Sequence, residues 1–262
     1  MSARPVRHGG GGRGGLLPLA RRVVPALVAL QVALLAAAGA PGAVAAPTRP
    51  DVSVARLSRQ VEPSMVDTIT FADPAGTQIL GTGIILSASG LVLTDYHVIR
   101  DQVFVGVRVG GTGAVHPATV VLTDPDEDLA LLRIQGTPAL RPAELARTSS
   151  AEVGAPVLAI GNAMGLGRVP RAAAGRLVGL HRTIRYGVGS GIVDLEGVLE
   201  AAAPIFAGDS GGALVDAAGQ VIGLIAAGSD DAPCAPTAVC ALHLAYAIPI
   251  RTALAQIGYT GL

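Results

Sequence analysis

Between residues 61 and 248 the chain alternates short apolar runs of four to eight residues with turns built from Gly, Asp or Pro. Residues 83–86, the turn Ser87-Ala88-Ser89-Gly90 and residues 91–94 make one such unit; 103–109, 118–122, 129–134, 157–160 and 221–226 are further runs. Runs of this length bounded by turn formers predict β-strands, and many of them at this spacing predict a sandwich or a barrel. Helical spacing occurs over 52–61, where Val54, Leu57 and Val61 share a face before Pro63 ends the pattern. A second short helix is predicted over 249–257. A break at 141–153 divides the strands into two comparable halves, 63–145 and 146–262, and no tandem repeat relates them.

The N-terminus has a different character. Arg4, Arg7, Arg13, Arg21 and Arg22 precede residue 47 and no acid does; Arg21-Arg22 then lead into an uncharged stretch over 23–48. Ala43-Val44-Ala45-Ala46 offers a signal peptidase small residues, so 1–46 reads as an export signal and 47–62 as a linker with a short helix. Left uncleaved, the stretch is long enough to span a bilayer, although Pro25, Gly39, Pro41 and Gly42 weaken it as an anchor. A secreted or cell-envelope location follows in either case, with membrane contact expected only through this segment.

The formal net charge of zero hides an asymmetry: beyond residue 46 the chain has 14 Arg, no Lys and 19 acids. A mildly acidic body with no basic cluster excludes nucleic acid as the main partner, because phosphate neutralisation needs a basic footprint. Half of the residues are apolar, which excludes a disordered chain. With 4 Tyr, 3 Phe and no Trp, the core must be filled by Ala, Val, Leu and Ile.

Three segments bear candidate chemistry. His97 follows the run Leu91-Val92-Leu93-Thr94; an acidic turn (Asp124, Asp126, Glu127, Asp128) feeds the run that starts at Leu129; Ser210 lies in Gly208-Asp209-Ser210-Gly211-Gly212. A hydroxyl is a poor nucleophile unless a base takes its proton, an acid orients that base, and backbone N–H groups receive the oxyanion. Glycines around Ser210 let the main chain present those groups without a Cβ in the way. Each segment alone has a structural reading: a histidine at the end of a strand, acids in a turn, glycines in a hairpin. Together, in the order His, Asp, Ser found in chymotrypsin-like enzymes, they point to acyl transfer.

The residues resemble the HtrA (Deg) group of exported trypsin-like serine proteases. Gly81-Thr82-Gly83-Ile84-Ile85, Gly90-Leu91-Val92-Leu93-Thr94 and His97-Val98 are similar to that family's approach to its catalytic histidine. Asp128-Leu129-Ala130-Leu131-Leu132 resembles its Asp-led strand, which selects Asp128 among the four acids. Val157 to Asn162 with Gly165-Leu166-Gly167, the segment 208–214, and Ala245-Tyr246-Ala247-Ile248-Pro249 match later strands. The resemblance implies an all-β protein of two six-stranded antiparallel Greek-key barrels with short terminal helices. It implies His97, Asp128 and Ser210 as a triad in the cleft, the N–H groups of Gly208 and Ser210 as the oxyanion hole, and protein or peptide substrates, without metal or cofactor. The substrate pocket is then expected at Pro204, Ile205, Ala226 and Ala227. Pro204 stands where a trypsin-type pocket has a carboxylate, so small or medium apolar side chains are expected before the cut bond. His243, near the last strand, reads as satisfied or exposed.

Departures from the family qualify this picture. Only 13 residues follow Pro249, too few for a PDZ module within this sequence. Asp95 and Asp209 stand where many relatives have Asn; Asp209 caps a local loop or pairs with an arginine, and the oxyanion hole is either preformed or assembled on binding. Cys234 and Cys240, which enclose five residues in an exported chain, are expected to form a disulfide. A catalytically silent peptide-binding or chaperone-like module on the same scaffold is the alternative reading, and an esterase a weaker one.

Overall fold

The computed structural model describes residues 53–71, 78–136, 140–147, 151–162, 169–188, 191–229 and 242–261. The leader and the Cys234–Cys240 pair lie outside the described residues. Pro47–Leu262 form one compact unit.

Helix α1 (Val54–Val61) opens the unit, and its Leu57 and Val61 are buried as their spacing predicts. A 3-10 turn over Glu62–Ser64 follows, with Pro63 in its first turn, where a missing N–H costs nothing. The first barrel comprises β1 (Met65–Phe71), β2 (Gln78–Ile85), β3 (Leu91–Asp95), β4 (Phe104–Val109), β5 (His116–Asp124) and β6 (Leu129–Ile134), with the four-residue helix α2 (Tyr96–Ile99) between β3 and β4. The second comprises β7 (Pro156–Gly161), β8 (Arg171–Val188), β9 (Gly191–Ile205), β10 (Gly212–Asp216), β11 (Val221–Ser229) and β12 (Leu242–Pro249), followed by α3 (Ile250–Gln256). Around the first barrel the strands run 1-2-3-6-5-4; around the second they run 7-8-9-12-11-10. The two orders are the same Greek-key permutation, although no tandem sequence repeat records it. Every pairing between these twelve strands is antiparallel, and closure leaves no open sheet edge.

Three apolar clusters hold this arrangement. One fills the first barrel, with Val66, Ile85, Val92, Val107 and Leu132. A second fills the other barrel, with Val157, Leu177, Ala201, Leu214 and Ile225. The third joins both barrels and the helices: Leu57, Ile84, Leu93 and Leu129 pack with Leu158, Ile160, Leu195, Ala213 and Leu254. Each such Leu or Ile contributes about 1.5–3 kcal/mol on burial. Because this cluster is shared, the barrels meet along a fixed seam, and the turns at its rim are held in register.

The strand predictions leave out β1 (Met65–Phe71) and, more seriously, the β8–β9 pair. The longest pair in the molecule, the 18-residue β8 and 15-residue β9, goes unread in the sequence. Its residues mix Arg, Gly and apolar positions without a clean period of two, because its register shifts three times, between Leu177 and Gly179, Gly179 and Arg182, and Arg182 and Ile184. Each bulge moves the following side chains to the other face.

Candidate active site

His97 sits in α2, whose single turn is pinned from the opposite hairpin: Tyr96 N donates to Asp128 O at 3.0 Å, and Arg100 N closes the turn on Tyr96 O at 2.9 Å. Asp128 precedes β6 in a left-handed conformation (φ 52°), which Asp tolerates better than most residues. That conformation turns its carboxylate toward α2. Oδ1 accepts from His97 N at 2.8 Å and Oδ2 meets His97 Nδ1 at 2.7 Å. Asp128 is wholly buried. Of the three other acids in this turn, Asp124 accepts from Glu127 N at 3.2 Å and so caps the turn, while Asp126 is exposed and Glu127 half-buried.

The turn with Ser210 belongs to the second barrel but is held by the first. Thr82, on β2, donates its N–H to Ser210 O at 2.8 Å and its hydroxyl to Gly208 O at 2.7 Å. The same hydroxyl accepts from Asn162 N at 2.8 Å. Gly211 N is shared between Ile225 O and Asp95 Oδ2, each at 2.8 Å. Gly211 has φ 80°, and a Cβ there would collide with Thr82 O and Thr94 Oγ1, so glycine is required both by conformation and by space. Asp209 N donates to Phe206 O and Gly212 N to Asp209 O. Among the described residues, the N–H groups of Gly208 and Ser210 have no acceptor, and Ser210 Oγ makes no hydrogen bond. The two amides therefore remain available to an anion from outside. Ser210 and Gly208 are both half-buried.

Asp95 ties the two halves together. Its Oδ2 lies 3.9 Å from His97 Nδ1 while accepting from Gly211 N, the amide after Ser210. Burial, then the charge of Asp128, push its carboxyl well above the ordinary range, partly offset by the Gly211 hydrogen bond. Its Oδ1 has no partner, which a neutral acid tolerates better than a carboxylate. Asp209 is also displaced: burial raises it to about 6 against hydrogen bonding from Phe206 N (2.8 Å) and the charge of Arg171. It does cap its own loop, and its Oδ1 is unpartnered. Arg171 itself lies over the Phe206 ring at 4.1 Å.

Of the residues expected in the substrate pocket, Pro204 and Ala227 are half-buried, whereas Ile205 and Ala226 are 3% and 2% exposed. Ile205 packs with Leu214 and Ile225 in the interior of the second barrel. Ala226 lies where the β11–β12 register shifts. His243 is exposed on β12. The site also has members that the motifs do not reveal. Tyr186 on β8 donates its hydroxyl to Asp128 Oδ2 at 2.6 Å, and its ring stands edge-on to the imidazole with centroids 6.4 Å apart. Thr82 could have been found, since it lies inside the Gly81-Thr82-Gly83 motif; nothing in the sequence marks Tyr186. Asp95, His97 and Asp128 offer three potential ligand atoms within 4.8 Å of one another, but each carboxylate already has protein donors.

The chain is similar to known proteins over this same region. A trypsin-like peptidase domain matches residues 81–224. Serine protease PepD of Mycobacterium tuberculosis is 35% identical over 234 residues, covering 83% of this chain and 48% of its own. The periplasmic pH-dependent serine endoprotease DegQ of Escherichia coli is 29% identical over 210 residues, covering 80% and 41%. The chain thus spans about half the length of these curated relatives. Among solved structures, the HtrA-type protease AlgW with a tripeptide superposes with a TM-score of 0.66 at 29% identity, over 79% of this chain and 62% of that one. Fold and sequence agree, and the chain belongs to the trypsin-like peptidase family as an HtrA-like member.

Proposed function

We propose that this protein is an exported serine endopeptidase that hydrolyses peptide bonds through Ser210, His97 and Asp128. The observation that carries the reading is the bidentate placement of Asp128, with one oxygen on His97 N and the other on Nδ1, beside a nucleophile turn clamped by Thr82 and Asp95. A carboxylate on Nδ1 holds that nitrogen protonated and leaves Nε2 as the base. Ser210 Oγ attacks the carbonyl as Nε2 takes its proton; the unengaged N–H groups of Gly208 and Ser210 receive the oxyanion. His97 then protonates the leaving amine, and water releases the acyl group by the same steps in reverse. The structure has no Ser210–His97 hydrogen bond; that bond forms when substrate seats, since such pairs are often loose in the free enzyme.

Ile205 lies in the core of the second barrel and so does not line a pocket, but Pro204 and Ala227 are half-buried and neither is an acid; this supports small or medium apolar residues before the cut bond, since a substrate Arg or Lys would be desolvated without a partner. Residues 1–46 support export, in keeping with the periplasmic address in the name of DegQ. The test is a peptide-library cleavage profile of the protein beside Ser210→Ala, with fluorophosphonate labelling of the folded and denatured chain. Ser210→Ala is expected to lower turnover by about 10⁶-fold. Undiminished hydrolysis in that variant would remove the nucleophile assignment, and absence of labelling in the folded wild type would favour a silent peptide-binding module.

A further inference from the structure

The long β8–β9 hairpin reaches the acid behind the imidazole. Tyr186, opposite Val193 in the β8–β9 register, puts its hydroxyl on the same Asp128 oxygen that His97 Nδ1 meets, at 2.6 and 2.7 Å. The inner face of this part of the hairpin is apolar: Ile184, Tyr186, Val193 and Leu195 pack against the cluster that joins both barrels. Its outer face is charged, with Arg185 held by Asp194 at 2.6 and 2.9 Å in solvent. Strand alternation therefore fixes which way the phenol points.

We propose that Tyr186 is a positioning residue of the peptidase: its hydroxyl fixes the orientation of the Asp128 carboxylate and moderates its hold on the His97 proton, making the β8–β9 hairpin a working part of the active site. This rests on the serine-peptidase reading above. A carboxylate with donors on both oxygens has one plane that satisfies them all, and rotation out of that plane would strand the phenol and one His97 donor. The third donor also spreads the anionic charge, so that Asp128 pulls less strongly on the imidazolium proton. Burial, then the charge of Asp128, pushes the phenol far above its usual range, so it remains a donor at every working pH. The titratable groups facing the imidazole are Asp128 from the turn before β6, Asp95 from β3 and Tyr186 from β8. Arg185, beside Tyr186 on β8, is committed to Asp194.

Tyr186→Phe keeps the ring and its packing and removes only the donor. We expect kcat to fall about ten- to a hundredfold, the range for a hydrogen bond to a charged group, with KM within twofold. We also expect the acidic limb of the pH–rate profile to move to higher pH, because an Asp128 stripped of one donor holds the imidazolium proton more firmly. 3-Fluorotyrosine at position 186, a stronger donor of nearly the same shape, should move the limb the opposite way. An NMR titration of the His97 ring in a Ser210→Ala background reads the same displacement without turnover, and so separates this proposal from the peptidase reading. If the wild type fails to label with fluorophosphonate but the ring titration still moves with Tyr186→Phe, the peptidase reading falls and the coupling stands. An unmoved limb and an unmoved ring titration overturn the positioning role, even if activity drops, since packing loss alone would do that.

Discussion

The two barrels share a strand order and differ in what they bring to the seam. The first is built of strands of five to nine residues and buries three acids, Asp67, Asp95 and Asp128, all at 0% exposure. The second contains the longest strands of the molecule and buries one acid among the described residues, Asp209 at 5%. One barrel supplies charge; the other supplies a glycine turn and a long hairpin. Neither is complete alone, because each site element is satisfied from across the seam. Thr82 and Asp95 hold the 208–211 turn, while Tyr186 satisfies Asp128.

The contrast can be broken first at its charged side. Asp128→Asn preserves shape but presents the wrong tautomer to His97, and kcat should fall about 10⁴-fold, equivalent to about 5.5 kcal/mol of barrier. Steady-state kinetics on a cleaved peptide check this, and a loss under tenfold would show that Asp128 does not orient the base. Next in size is the clamp. Thr82→Val strands the buried Asn162 N and the half-buried Gly208 O, and should cost about 3 kcal/mol of stability in urea unfolding. A change within 0.5 kcal/mol, as at an ordinary surface site, would mean that the barrels are held by apolar packing alone.

The smallest effect separates the acids themselves. Asp209 titrates near 6 in the fold against an ordinary 3.8, so its protonated form favours folding. Its contribution is fully present below pH 4 and is lost as pH rises through 6, by at most about 3 kcal/mol. Asp209→Asn keeps an acceptor for Phe206 N without the charge. The difference in Tm between variant and wild type should therefore rise from pH 4 to pH 7; a difference flat in pH would refute the burial argument. Asp67, raised by burial to about 6 in spite of Arg108 at 3.4 Å, gives the first barrel a decline of the same sign.

Much of this was legible along the chain. Strands β3, β6, β7 and β11 fall on apolar runs, and α1 and α3 begin within two residues of their predicted starts. The glycine turn was legible because backbone chemistry requires particular residues at adjacent positions. Among the four acids of the 124–128 turn, the residues alone left the choice open and the family resemblance named Asp128. The geometry adds that its left-handed backbone aims the carboxylate at α2. The β8–β9 hairpin was illegible because three bulges scramble the alternation that makes a strand readable.

The sequence by itself determined the short-strand architecture, the candidate His and Ser with an acidic turn between them, and the apolar character of the core, because each depends on neighbours a few residues apart. Only tertiary structure decided that Asp95 spans from His97 to the amide after Ser210, that Thr82 clamps the nucleophile turn, and that Tyr186 reaches Asp128 from 58 positions away. The reason is physical: hydrogen bonds across the seam join residues with no local relation, and they exist only once two closed barrels have packed and excluded the water that would otherwise compete for those groups.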